Sequence, residues 1–428
     1  MKIKTIALLV GLASAGSMVS VNANAEDLRM SWWGGNSRHT ATNDAVKEFE
    51  KVHPEISVKT EYTGWGGHLE RLTTQIAGNT EPDVMQTNWN WMPIFSARGD
   101  GFKDLREYSD VLDLTQFDKS ALDAGTNNGK LNGIPVSMAA RIFYYNKDTW
   151  AKAGLPYPVT WEDLMAAGPV FKEKLGDEFF PIILEGRDII AMNRSFMVQK
   201  YGIPMIDEAN KKFAYSDAQM LEFFKMYEDM VKNHVAPSSK YVAGFGKANL
   251  YEHKPWINGE WAGVYMWNSA INKYNDNLKP PMSLEIGFYP MRKGAADAGL
   301  FYKPALMLSI GKNSKNPKDA AKLINFLLNE PAGYNAMGLA RGVPLSLAAR
   351  RALSLDGTIK DSDLSVAGLA QIDDLPKNIL TSAHFENPKL LGLFEEMIEK
   401  MDQGDIKVEE AAKEFMSQGN RILRRAIK

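Results

Sequence analysis

The chain contains no cysteine. That absence removes disulfides, thiol nucleophiles, thiolate zinc sites and iron–sulfur clusters together. Histidine is scarce: the six, at 39, 53, 68, 234, 253 and 384, include no pair at i,i+4 spacing. A structural or catalytic metal therefore has no sequence support, and no cofactor is expected. Neither charge is in large excess, with 50 Lys and Arg against 52 Asp and Glu. No overall field draws the chain to nucleic acid or to an anionic membrane, and neither is expected as a partner. Beyond the N-terminus, no run approaches the ~18 uninterrupted apolar residues of a membrane span, so no membrane insertion is expected.

What is there is a chain of 428 residues, 45% hydrophobic and 10% aromatic, ordinary values for globular protein in two to four domains or two large lobes. The first 25 residues stand apart. Lys2 and Lys4 form a basic start, an apolar and small-residue stretch runs from Ile6 to Val21, and Ala23-Asn24-Ala25 gives an A-x-A cleavage pattern. This reads as a secretory signal peptide cut before Glu26; the competing N-terminal anchor is disfavoured by the short, Gly-, Ser- and Ala-rich segment. Cleavage leaves 48 basic against 52 acidic residues, net −4. With no anchor and no cysteine to lipidate, an outer membrane is the simplest way to keep such a protein near its cell, which favours a Gram-negative periplasm.

Strand and helix signals then alternate. Leu28–Trp33 reads as a strand, Ala41, Ala45, Val46, Phe49 and Val52 repeat at helical spacing, and Pro54 ends that helix. Ser57–Thr63 reads as a second strand, Leu69, Leu72 and Ile76 as a second helix stopped by Gly78, and Asp83–Gln86 as the start of a third strand. The order β-α-β-α-β implies an open parallel sheet with right-handed crossovers, in which ligands bind beyond the carboxyl ends of the strands. The loops there are WWGGNSRH at 32–39, TGWGGH at 63–68 and QTNWNW at 86–91. A tryptophan is more often a core residue than a ligand platform, yet five in three equivalent loops point to a binding face. Trp89 and Trp91 are expected on one face of an extended segment, with Asn88 and Asn90 on the other. Ring faces beside amides and glycine backbone suit a sugar; the competing nucleobase stack lacks its basic stripe.

At this point the chain resembles the extracellular solute-binding proteins that serve ABC importers for sugars and sugar oligomers. NTEPDVMQTN at 79–88, FSARGDGFKDLREY at 95–108, GKLNGIPVSMAARIFYYNKDTWAKAGL at 129–155 and TWEDL at 160–164 carry the resemblance. It continues through WNSA at 267–270, LMLSIGKNSKNPKDAAKLINFLLN at 306–329 and ARGVP at 340–344. Ile142 and Trp150 depart from the small and aliphatic residues usual in that family. Within it, the chain looks most like the oligogalacturonide-binding members of pectin-degrading enterobacteria. The resemblance implies a monomer of two α/β lobes closing on a ligand cleft through a multi-segment hinge, with ABC permease subunits as partners.

Crossings near Val136, Ala305 and Pro344 give one lobe from 26–136 plus 306–344 and a second from 137–305 plus 345–428. The ligand-binding residues expected from the first are Trp32, Gly34, Gly35, Arg38, Trp65, Asn88, Trp89 and Arg341. The second is expected to add Arg141, Arg187, Asn193, Trp267, Asn268, Tyr302 and Lys303. The cations Arg38, Arg141, Arg187, Lys303 and Arg341 matter because a uronate carboxylate calls for a guanidinium fork or an ammonium, whereas a neutral sugar does not. The C-terminal segment, with Leu391, Phe394, Ile398 and Met401 on one face, reads as packing. The alternatives are a carrier of neutral oligosaccharide or sugar phosphate, and, further off, a secreted polysaccharide lyase or hydrolase. No H-E-x-x-H, G-x-S-x-G elbow or P-loop argues for an enzyme, and the S-x-x-K match at Ser309–Lys312 lacks its companion motifs. N-terminal sequencing of the exported form is expected to return Glu26 as its first residue; a retained Met1 would sink the signal-peptide assignment.

Overall fold

Three strands open the chain of the computed structural model, which describes residues 26–64, 67–246, 248–373, 375–377, 379 and 381–427. The expected signal peptide, residues 1–25, and Trp65 lie outside the described residues. Strands β1 (Glu26–Trp33), β2 (Ile56–Thr63) and β3 (Val84–Thr87) pair in parallel in the order β2-β1-β3. They are linked by helices Asn36–Val52 and His68–Ala77, the alternation expected. Leu28, Met30 and Trp32, on one face of β1, are fully buried, while Asp27 on the other face is exposed and Arg29 half-buried.

The sheet continues through β4 (Ile134–Asn146), β5 (Gly263–Trp267), β6 (Leu284–Ile286) and β7 (Tyr302–Ile310), in the order β6-β4-β7-β3-β1-β2 with β5 also on β4. Strand β7 is antiparallel to both β3 and β4. Strand β4 is buried along all of its 13 residues. Its first part, Ile134–Ala140, pairs with β7, and its second, Arg141–Asn146, pairs with β5 and β6. One strand therefore belongs to two bodies.

Each body has its own apolar core. Leu28, Phe49, Leu72, Met85, Ile134, Leu308 and Ile324 belong to one; Phe143, Trp161, Ile190, Phe223, Tyr265, Phe394 and Phe415 belong to the other. The result is a two-lobed α/β fold. A third segment passes beside the crossing strands, where Ser137 Oγ donates to the Arg341 carbonyl and Leu345 N to the Val136 carbonyl at 3.0 Å. Past residue 344, helix Leu347–Leu355 lies beside helices Pro317–Asn329 and Pro331–Met337, with Ala349 and Leu353 burying against Tyr334 in a small core of their own. The C-terminal helices Pro388–Gln403 and Val408–Ala426 pack on the second core.

Two of the quoted motifs are helix starts. In TWEDL, Thr160 accepts from Asp163 N at 3.1 Å and Asp163 accepts from Thr160 N at 2.9 Å, a reciprocal cap on helix Trp161–Leu175. In YYNKD, Asn146 Oδ1 accepts from the backbone of Asp148 and Thr149, both at 3.1 Å. Trp150 fits where an aliphatic residue is usual because its buried indole donates to the Ala262 carbonyl at 2.9 Å.

The ends of β1 to β3 hold an aromatic cluster and not an open row of platforms. Trp33 lies 5.3 Å from the ring of His68 and 5.1 Å from that of Trp91. Gly67, at φ 78°, supplies the left-handed turn that starts the helix at His68. Burial, with Arg71 adding to it, pushes the fully buried His68 imidazolium down from 6.5 to about 4. The unfolded chain then takes up a proton near pH 6.5 that the folded one refuses until about pH 4, so this histidine's contribution to stability is intact above the first value and lost on the way to the second. Urea unfolding at pH 7 and pH 5 is expected to show a larger loss of stability for the wild type than for His68→Gln.

Candidate functional site

Strands β4 and β7 cross the gap between the lobes side by side, with Ala140 opposite Tyr302 and Ala139 opposite Lys303. Around them lies a cavity of about 700 Å³. Trp89, Met92, Asp123 and Asn127 line it from the first lobe, Met138, Tyr302 and Pro304 from the crossing strands, and Ile206, Asp207, Glu208 and Ser382 from the second. The mixture of apolar wall and scattered polar groups is that of a small-molecule cleft.

A cationic cluster is built on the same strands. The Lys303 ammonium lies 5.1 Å from the Trp267 ring, 6.0 Å from that of Trp89 and 5.8 Å from that of Phe301. It pairs with Glu386. Burial pulls its pKa below the ordinary lysine value, with Glu386 opposing. On the neighbouring strand the Arg141 guanidinium stands 4.8 Å from the Trp267 ring, pairs with buried Asp188, and donates to the Tyr265 carbonyl at 3.2 Å. Its Nε, also buried, has no partner. Trp267 thus carries two cations at its ring, an arrangement that fixes both by cation–π attraction and packing.

A second cavity, of about 400 Å³, shares Met138 with the first and is lined by Trp33, Arg38, Ser137, Asn268, Asn272, Arg341, Asp363 and Ser365. Arg38 donates Nε to the Ala340 carbonyl at 2.9 Å and Nη1 to the Trp33 carbonyl at 3.2 Å. Arg341, deeply buried, donates Nε to Gln86 Oε1 at 2.9 Å and Nη1 to Thr42 Oγ1 at 2.8 Å. Gly34 is required for this placement, since a Cβ there would lie 2.7 Å from Arg38 Cδ.

Of the residues expected to bind ligand, Trp89 and Tyr302 line the first cavity, while Arg38, Asn268 and Arg341 line the second. Arg141, Trp267 and Lys303 form the cluster just described. Gly35 is exposed at the start of helix Asn36–Val52, and Asn88 precedes the turn that holds Trp89, its buried Oδ1 unpaired. Trp89–Trp91 is one turn of 3₁₀ helix, so the extended segment with aromatics on one face does not form. Trp32 is fully buried, donating Nε1 to His39 Nδ1 at 3.1 Å, and is a core residue. Asn193 is likewise in the core, donating to the Phe223 carbonyl at 2.8 Å. Arg187 is 69% exposed beside Glu395, 3.9 Å away, and lines other hollows. Asn268 acts mainly on the backbone, its Oδ1 accepting from Ala140 N at 3.0 Å and its Nδ2 donating to the Ser365 carbonyl at 3.1 Å. The acidic partners Asp188 and Glu386 and the wall residues Asp207, Glu208 and Ser382 were not expected; they come from distant segments with no motif of their own. Among the described residues, no group of three or more His, Cys, Asp or Glu is placed to hold a metal ion.

A family model described as bacterial extracellular solute-binding protein matches residues 35–334. The structure of a periplasmic oligogalacturonide binding protein from Yersinia enterocolitica, in complex with saturated digalacturonic acid, is similar to this chain at 61% identity and a TM-score of 0.85, covering 94% of this chain and 100% of its own. A periplasmic solute binding protein from Pectobacterium atrosepticum is similar at 46% identity and a TM-score of 0.89, with 94% and 100% covered. A de novo designed cysteine esterase is similar at 59% identity and a TM-score of 0.91, with 95% and 100% covered.

The Lys303 ammonium is buried and its partner Glu386 half-buried, so removing the acid alone leaves an uncompensated buried ammonium. Glu386→Ala is expected to lower the unfolding free energy by about 3–5 kcal/mol in denaturant titration at neutral pH, the range for breaking one half of a buried pair.

Proposed function

The chain belongs to the bacterial extracellular solute-binding proteins, and we propose that it captures oligogalacturonides in the cleft between its lobes and delivers them to the permease subunits of an ABC importer. It does so as a monomer in the periplasm of a Gram-negative cell, after removal of residues 1–25. The observation that carries the proposal is the set of cations at the lobe junction: Arg141 and Lys303, 4.8 and 5.1 Å from the Trp267 ring, and Arg38 and Arg341 lining the cavity beside them. Sugar rings stack their C–H faces on aromatic surface, and uronates add carboxylates that basic groups recognise. The neighbour from Yersinia, whose structure is a complex with saturated digalacturonic acid, supports the same ligand class. Lobe closure about β4 and β7 would bury the sugar between groups that lie far apart in sequence.

We assign binding and not catalysis. The chain has no cysteine, so the nucleophile class of the designed esterase is missing. Neutral oligosaccharides remain the competing ligand, because Asp188 and Glu386 already balance two of the cations.

Titration calorimetry with digalacturonate and its carboxyl-reduced counterpart separates the two. The acidic sugar is expected to bind at least tenfold tighter, and Trp267→Ala to weaken both by about tenfold through lost stacking. Equal affinity of the wild type for the two sugars makes the neutral carrier the better assignment.

A further inference from the structure

The cations at the lobe junction are not equivalent. Arg141 is paired with Asp188, Lys303 with Glu386, and Arg187 faces Glu395 in solvent. Arg38 and Arg341 differ, since among the described residues neither has a carboxylate within ion-pair distance; their partners are carbonyls, an amide and a hydroxyl. Arg341 Nη2 is buried with no partner, and Arg38 Nη2 donates to no described group. The one carboxylate on the opposite wall, Asp363, is taken up by Ser365 N and Oγ and by Asn272 Nδ2. Two cations beside one polar cavity, Arg341 buried and Arg38 half-buried, each depressed in pKa by burial, are costly unless an anion joins them. Arg38 also stands in the first turn of helix Asn36–Val52, whose start has no acidic residue and no side-chain cap, so the helix end adds to the positive potential.

We propose that the Arg38–Arg341 cavity is the carboxylate-reading subsite of the ligand cleft, and that Arg141 and Lys303, already compensated, support the aromatic wall and do not select the acid. This rests on the uronate reading of the site but can fail separately from it. A cavity of about 400 Å³ accommodates a sugar-sized group, and Trp33, Asn272 and Ser365 are among the residues that line it. Gly34 belongs to the subsite as the residue that leaves room for the Arg38 stem.

The test compares digalacturonate and its carboxyl-reduced counterpart on the full exported chain. Arg38→Met is expected to weaken the acidic sugar ten- to a hundred-fold and the neutral one less than about twofold, collapsing the preference. Gly34→Ala, which keeps the charge but displaces it, is expected to act in the same direction, and Arg187→Met to leave both affinities unchanged. Arg341→Met is avoided as the sole variant, because its guanidinium also holds Gln86 and Thr42. A wild-type preference that survives in Arg38→Met overturns the subsite. A wild type that does not prefer the acidic sugar overturns the uronate reading instead. The subsite is then read from thermal unfolding in sodium sulfate against sodium chloride at equal ionic strength: because sulfate stabilises folded chains generally, a larger sulfate-induced rise in Tm for the wild type than for Arg38→Met supports an oxyanion site, and equal rises overturn it.

Discussion

Everything in the cleft depends on one strand that is buried end to end and shared by two cores. A buried backbone must have all its N–H and C=O groups paired, and β4 meets that demand by changing partners halfway. At the changeover the ladder has a gap. Ala140 N finds its acceptor in the Asn268 side chain at 3.0 Å, and Arg141 N in the Phe301 carbonyl at 3.1 Å. Asn268 thus substitutes for a strand neighbour, and its other end ties down the Ser365 carbonyl in the first turn of helix Leu364–Asp373. The same two residues, Ala140 and Arg141, are where one lobe's sheet hands over to the other's, so the relative placement of the lobes and the position of the Arg141 guanidinium are set by one local hydrogen-bond pattern.

Much of this was legible in the sequence. The first three strands and two helices follow from periodicity and breakers, and the caps in TWEDL and YYNKD state where helices begin. Trp32 as a core residue was legible: along β1, Leu28, Met30 and Trp32 share one face while Asp27, Arg29 and Ser31 share the other. The place of Asn193 was not, because helix Gly186–Tyr201 is buried without a break over residues 188–195, with no polar stripe to orient it. The aromatic loops promised platforms, yet one 3₁₀ turn at Trp89–Trp91 redirects two rings and leaves only Trp89 lining the cleft cavity.

Charge compensation was the least legible feature. The five cations could be named from the sequence, but the acids that neutralise them are 47 residues away for Arg141 and 83 for Lys303, and no local pattern joins such pairs. Burial then decides what each cation can do. A compensated, hydrogen-bonded pair packed against Trp267 holds geometry, because moving either ion would leave the other desolvated and alone. An uncompensated guanidinium gains most from a ligand that brings its own charge.

This division of tasks also bears on how an acidic ligand is attracted to a chain whose formal net charge is −2. Repulsion from acids spread over the surface is screened beyond about 8 Å at physiological ionic strength, so it decides little at the cleft. A bound sugar would displace water from the proposed Arg38–Arg341 subsite and weaken screening there, so a pair of nearby cations would outweigh distant anions. A neutral sugar of identical shape would take water from the same guanidinium groups and give no charge in return. Selectivity of this kind needs no repulsive element aimed at neutral sugars. In the proposed subsite it follows from leaving Arg38 and Arg341 without an acidic partner while Arg141 and Lys303 have theirs.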